Sequence, residues 1–113
     1  MRLFATFCAI AALGASAAFA DTLENAFGNT LIVTNAEGQT ARYHFNADHS
    51  YMMMAGETHV MGSWEVAGGQ ICMTPQGGER ACAPYDASKN VGDSWIQAGI
   101  DGSQITVSIS AGR

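Results

Sequence analysis

Charge is scarce in this sequence, and positive charge is the scarcer sign. Only 13% of the 113 residues are charged, and Lys89 is the single lysine. A chain so poor in cations has little with which to hold a phosphate backbone or an anionic bilayer, which weighs against nucleic acid and membrane surfaces as partners. Signature motifs of catalysis are also missing. There is no Gly-x-Ser-x-Gly, His-Glu-x-x-His, phosphate loop or EF-hand loop. The nearest to a calcium loop, "DASKNVGD", lacks the alternating Asp/Asn positions and the final Glu. No helical period, heptad, long linker or internal duplication emerges either. A non-enzymatic protein is the expectation.

What the chain does contain begins with an export signal. "MRLFATFCAIAALGASAAFA" has a positive start at Arg2, a mostly apolar stretch from Leu3 to Leu13, and the small-x-small site Ala18-Phe19-Ala20. Residues 1–20 therefore read as a secretory signal peptide, and residues 21–113 as one small domain. No other segment is long and apolar enough to span a bilayer. Beyond the signal, Arg42, Arg80, Lys89 and Arg113 face ten carboxylates, leaving about six net negative charges. Such a surface suits the periplasm or the cell exterior.

Cys8 falls inside the signal, so Cys72 and Cys82 remain. An even count in a small exported domain reads as one disulfide, whereas a metal pair normally has closer spacing or further Cys/His ligands nearby.

Glycines recur at near-regular intervals between short β-branched and aromatic runs, the pattern of many strands joined by tight turns. One helical turn comes first. In "DTLENAFG", Asp21 and Glu24 have capping-box spacing, and Leu23, Ala26 and Phe27 share a face before Gly28. Strands are then expected at "TLIVT", "QTARYHF", "YMMMA", "THVMGSWEVA", "QICMT", "RACAPY", "DSWIQAG" and "QITVSIS". This is an all-β meander of about eight strands, which must close as a small antiparallel barrel, lipocalin-like in the broad sense, or fold into a two-sheet sandwich.

Two tight turns allow the register to be worked out. A type II′ loop at Gly56-Glu57 sets Met54 opposite His59, Met53 opposite Val60, Met52 opposite Met61 and Tyr51 opposite Gly62. Opposed residues share a face. Tyr51, Met53, Val60, Gly62, Trp64 and Val66 then form the core side, while Met52, Met54, His59 and Met61 lie opposite. Three thioethers and one imidazole make a set suited to Cu(I) or Ag(I). The plainer reading is that these methionines cover a half-exposed face or a partner contact. The Gly68-Gly69 turn pairs Val66 with Ile71 and Trp64 with Met73, and a loop from Pro75 to Glu79 sets Cys72 opposite Cys82, within disulfide reach.

The other histidines have ordinary explanations. His44 alternates outward on its strand, and His49 occupies a turn position that favours a left-handed backbone. A His44–His49 metal pair has no carboxylate-rich partner set. Asp48, Glu57, Glu79, Asp86 and Asp101 fall in turns, with solubility or turn-forming roles.

The arrangement of Tyr43, Phe45, Asp48, Tyr51, Gly62, Trp64, Cys72 and Cys82 resembles small exported proteobacterial β-proteins of unknown function, although His49 stands at their usual turn glycine. That resemblance implies an exported, disulfide-bonded β domain. The chain is also similar, at the level of fold, to lipocalin-like periplasmic inhibitors of bacterial metalloproteases, which act through an N-terminal segment; here that segment is Asp21 to Asn29. Three functions are therefore expected in order: a binding or accessory module for a protein or small ligand, a Cu(I)/Ag(I) carrier using Met52, Met54, His59 and Met61, and a protease inhibitor.

Overall fold

The computed structural model describes residues 21–113; the signal read over residues 1–20, including Cys8, lies outside them. A short helix, α1 (Thr22–Ala26), precedes eight strands. These are β1 (Thr30–Thr34), β2 (Thr40–Phe45), β3 (Ser50–Ala55), β4 (Thr58–Ala67), β5 (Gln70–Pro75), β6 (Ala81–Pro84), β7 (Ser94–Ala98) and β8 (Gln104–Ser110).

All strand pairs are antiparallel, in the order β6-β5-β4-β3-β2-β1-β8-β7. This is the sequence order bent into a ring. The ring shuts where β1 meets β8, from Thr30 opposite Ser110 to Thr34 opposite Thr106. It stays unpaired at one seam, between β6 and β7, the two edges. There the Gln97 side chain reaches across, its Nε2 donating to the Pro84 carbonyl at 3.0 Å. Of the two expected closures, the barrel forms, complete but for this seam. Pro84, which has no N–H to give a ladder, ends an edge strand, where its missing donor does least harm.

Turn chemistry sets the registers. Gly56 has φ 60° while Glu57 does not enter positive φ, the combination of a type II′ turn; Gly68 and Gly69 both have positive φ, as in type I′. Both hairpins take the expected pairing, Met54 with His59 and Met52 with Met61 in one, Val66 with Ile71 and Trp64 with Met73 in the other. Cys72 pairs with Cys82 on the next ladder and is bonded to it, with the Cα atoms 4.0 Å apart. His49 is the only non-glycine residue at positive φ among the described residues, at 73°.

The antiparallel path gives the barrel two ends. At one gather α1, the Asn46–His49 and Gly68-Gly69 turns, and the loop from Tyr85 to Asp93. The other end carries the Asn35–Gly38, Gly56-Glu57, Gln76–Arg80 and Gly99–Ser103 turns.

The helix end is filled. Asp21 caps α1 in a capping box with Glu24, and the buried Leu23 and Ala26 pack on Phe45, Tyr51 and Trp64. Phe45 meets Trp64 edge-on, with ring centres 6.3 Å apart, and His49 stacks on Trp64 at 4.2 Å. The indole N–H donates to the Asn46 carbonyl at 3.1 Å, so the buried ring leaves no orphan donor. The loop after β6 clamps the helix. Lys89 N–H donates to Thr22 Oγ1 and Asn25 Nδ2 donates to the Lys89 carbonyl. Asp21 to Asn29 is thus seated on the barrel; an inhibitory N-terminal segment would first have to leave the fold.

Candidate functional site

Strand alternation decides which side chains reach the lumen. Leu31 and Val33 of β1, Tyr43 of β2, Met73 of β5, Ala83 of β6, Trp95 and Gln97 of β7, and Ile105 and Val107 of β8 all point inward. They surround a cavity of about 360 Å3. Its cause lies in unequal side-chain size around the ring. On the β3–β4 side Tyr51, Met53 and Trp64 fill the interior, whereas Ala83 and Val107 leave space near the seam. Native cores are close-packed, with few voids larger than a water molecule, and the volume of this space falls within the range of about 300–1,000 Å3 typical of ligand pockets. A second lobe adjoins it beneath the Pro75–Glu79 turn, and the two share Tyr43, Met73 and Ile100 in their walls.

Gln97 holds the seam side of the lumen rigid. Its Oε1 accepts from Trp95 Nε1 at 2.7 Å, and its Nε2 donates to the carbonyls of Pro84 and Ala98. The indole is therefore fixed in rotation, with Lys89 Nζ 5.3 Å from its ring centre. Lys89 also pairs with Asp86 at 3.8 Å.

The three tyrosines differ in their polar ends. The Tyr85 hydroxyl accepts the Leu23 N–H at 3.0 Å and ties α1 to the lumen wall; burial pushes its pKa up to about 12. Burial also raises the Tyr43 and Tyr51 pKa values, with the Tyr51 phenol adding to the effect on Tyr43. Among the described residues neither of these two hydroxyls has a hydrogen-bond partner.

No family model, curated protein or solved structure matches the chain.

The residues singled out as a metal set lie outside the lumen. Met52, Met54, His59 and Met61 share the outer face of β3 and β4, with Met52 opposite Met61 and Met54 opposite His59. Met61 is 49% exposed, while Met52 and Met54 are half-buried. The β2–β3 ladder adds two neighbours: His44 stands opposite Met52, and Arg42 opposite Met54. Burial lowers the His44 pKa, and Arg113 and Arg42 lower it further. His44 was within reach of sequence reasoning. The Asn46–His49 turn, with a left-handed residue before Ser50, carries the register that puts Phe45 opposite Tyr51 and hence His44 opposite Met52. Trp95 and Gln97 had the alternation of a strand but no local signal that their face would border a void.

Carboxylates in three turns share one device. Asp48, Asp86 and Asp101 each accept from the N–H and hydroxyl of a serine two residues on: Ser50, Ser88 and Ser103. These serine hydrogen bonds hold all three carboxyls below the ordinary aspartate range.

Proposed function

We propose that this protein is an exported, non-enzymatic binding module that takes a small apolar ligand into the barrel lumen. The observation that carries the proposal is the cavity of about 360 Å3, walled by Leu31, Val33, Met73, Trp95 and Val107. Export is supported by the Cys72–Cys82 disulfide, a bond that persists in oxidising compartments, together with the leader-like residues 1–20. A binding role fits the chemistry of the walls. None of the three histidines lines either lobe, so no neutral-pH base faces the space a ligand would fill.

Titration with the neutral fluorophore N-phenylnaphthylamine tests the proposal. One equivalent is expected to enter, with enhanced probe emission and a change in Trp95 fluorescence that is lost in Trp95→Phe. Absence of saturable uptake by the folded protein would sink it.

A second reading, a Cu(I)-binding face, is favoured by one specific observation: the register places three thioethers and an imidazole together, with His44 beside them opposite Met52. Anaerobic Cu(I) titration against a chromophoric competitor addresses it. Stoichiometric binding that disappears in Met52→Leu/Met54→Leu/Met61→Leu is the expected result. Equal binding by that variant and the parent chain would leave the methionines a packing role.

A further inference from the structure

The charges around the lumen are all of one sign where they are free to act. Asp101 and Asp86 border the first lobe and Glu79 borders the second, while among the described residues no lysine, arginine or histidine lines either. Asp86 has its own counter-charge in Lys89. Glu79 and Asp101 do not share that arrangement. The cation next to Glu79, Arg80, is engaged elsewhere, 3.1 Å from Glu65. Asp101 accepts from Ser103 N–H at 3.0 Å and from its hydroxyl at 2.6 Å, which fixes the carboxylate in place.

These two carboxylates sit on neighbouring turns of the far end, beside Ile100. That residue lines both lobes and is still 47% exposed, so it marks where the lumen reaches solvent. Inside, the polar groups left over among the described residues are the Tyr43 and Tyr51 hydroxyls, beside the aromatic face of Tyr43. Phenol oxygens accept from an ammonium N–H, and aromatic faces attract a cation. A carboxylate- or sulfate-headed ligand would meet the opposite: no cation among the described wall residues and two carboxylates at the mouth, that of Asp101 held by Ser103.

From these observations we infer that the lumen selects a cationic amphiphile, an apolar chain or ring system bearing an ammonium group, over anionic amphiphiles of the same size. The inference rests on the lumen being a binding site. It adds the charge of the ligand and the residues that read it. The apolar part occupies the space between Leu31, Met73 and Val107, and the ammonium group lies toward Glu79 and Asp101.

The test uses three probes of matched chain length, below their micellar concentrations: decylammonium, decanol and decyl sulfate. Each displaces N-phenylnaphthylamine from the folded protein at low and at high salt. At low salt the ammonium probe is expected to bind about tenfold or more tighter than the sulfate, a difference that salt compresses. Glu79→Gln/Asp101→Asn should bring the two within about twofold while leaving decanol unchanged. A control of equal charge change, Glu24→Gln/Asp48→Asn at the helix end, should preserve the preference; glutamine keeps the capping box and asparagine the turn. If the control erases the preference as completely as the mouth variant does, net charge is responsible and the assignment to Glu79 and Asp101 falls. Decanol binding with equal affinities for the two charged probes overturns the selectivity and leaves the lumen as a binding site. Failure of all three probes and the fluorophore overturns both.

Discussion

Gly62 shows how much one missing methyl group decides. It lies opposite Tyr51, whose ring covers the inner face at that point. A Cβ there would stand 2.3 Å from the Thr74 carbonyl oxygen and 2.8 Å from the Tyr51 ring. The backbone contact cannot swing away as a flexible side chain would. Gly62→Ala is therefore expected to cost about 3 kcal/mol of stability by overpacking, read as a lower urea midpoint with the slope unchanged. A variant as stable as the parent would mean that β4 and β5 are farther apart than described. The tyrosines give a second residue-scale prediction. Their folded pKa values are raised, so each contributes stability that is complete below the ordinary value near 10 and is lost as pH climbs through the folded value, about 12 for Tyr85. Tyrosinate absorbance should lag that of free tyrosine, with alkaline unfolding in the same window. Titration of all three at the ordinary value with the fold intact would place the phenols in water. At this scale the sequence was readable wherever a local rule applied. Asp21 and Glu24 announced the cap, and His49 announced a left-handed turn. Nothing local announced that the Tyr43 hydroxyl would lack a partner among the described residues, because that depends on strands far away in the chain.

Hairpins are the elements that sequence reasoning resolves best, because a two-residue loop with glycine permits one backbone path and hence one register. The β3–β4 and β4–β5 pairings follow from Gly56 and from Gly68-Gly69. The disulfide follows from the second of these plus the next loop, and it ties β6, an edge strand of four residues, to the sheet. Ten positions separate the two cysteines, so the cross-link should contribute about 2–3 kcal/mol through the unfolded chain's lost freedom. Cys72→Ala/Cys82→Ala is expected to lower Tm by about 10–20 °C in a domain of this size. An unchanged Tm would show that β6 is held by its ladder and by the Gln97 bridge alone. Element pairs without a short turn between them were beyond such reasoning. The β1–β8 ladder joins strands from opposite ends of the domain, and neither carries a mark of its partner.

At the scale of the whole molecule, closure and volume are collective properties. Eight alternating strands imply a ring or a sandwich, and the inner faces can be named, yet alternation says nothing of whether the ring is full. Here the answer depends on sums around the barrel: Tyr51, Met53 and Trp64 crowd one side, and Ala83 and Val107 leave the other vacant. The same accounting places the methionine set outside. Its four members came together as the hairpin register required, but the cavity lies on the opposite face of the sheet. The central claim is that this space exists for a ligand and is kept unfilled at some expense of stability, as functional cavities commonly are. Ala83→Leu tests it most directly, since Ala83 is 5% exposed and its methyl already points into the cavity. The account predicts a raised urea midpoint, as added apolar volume enters vacant space, together with loss of N-phenylnaphthylamine uptake. A lowered midpoint by about 1–3 kcal/mol, the mark of an overfilled core, with probe uptake unchanged, would contradict it.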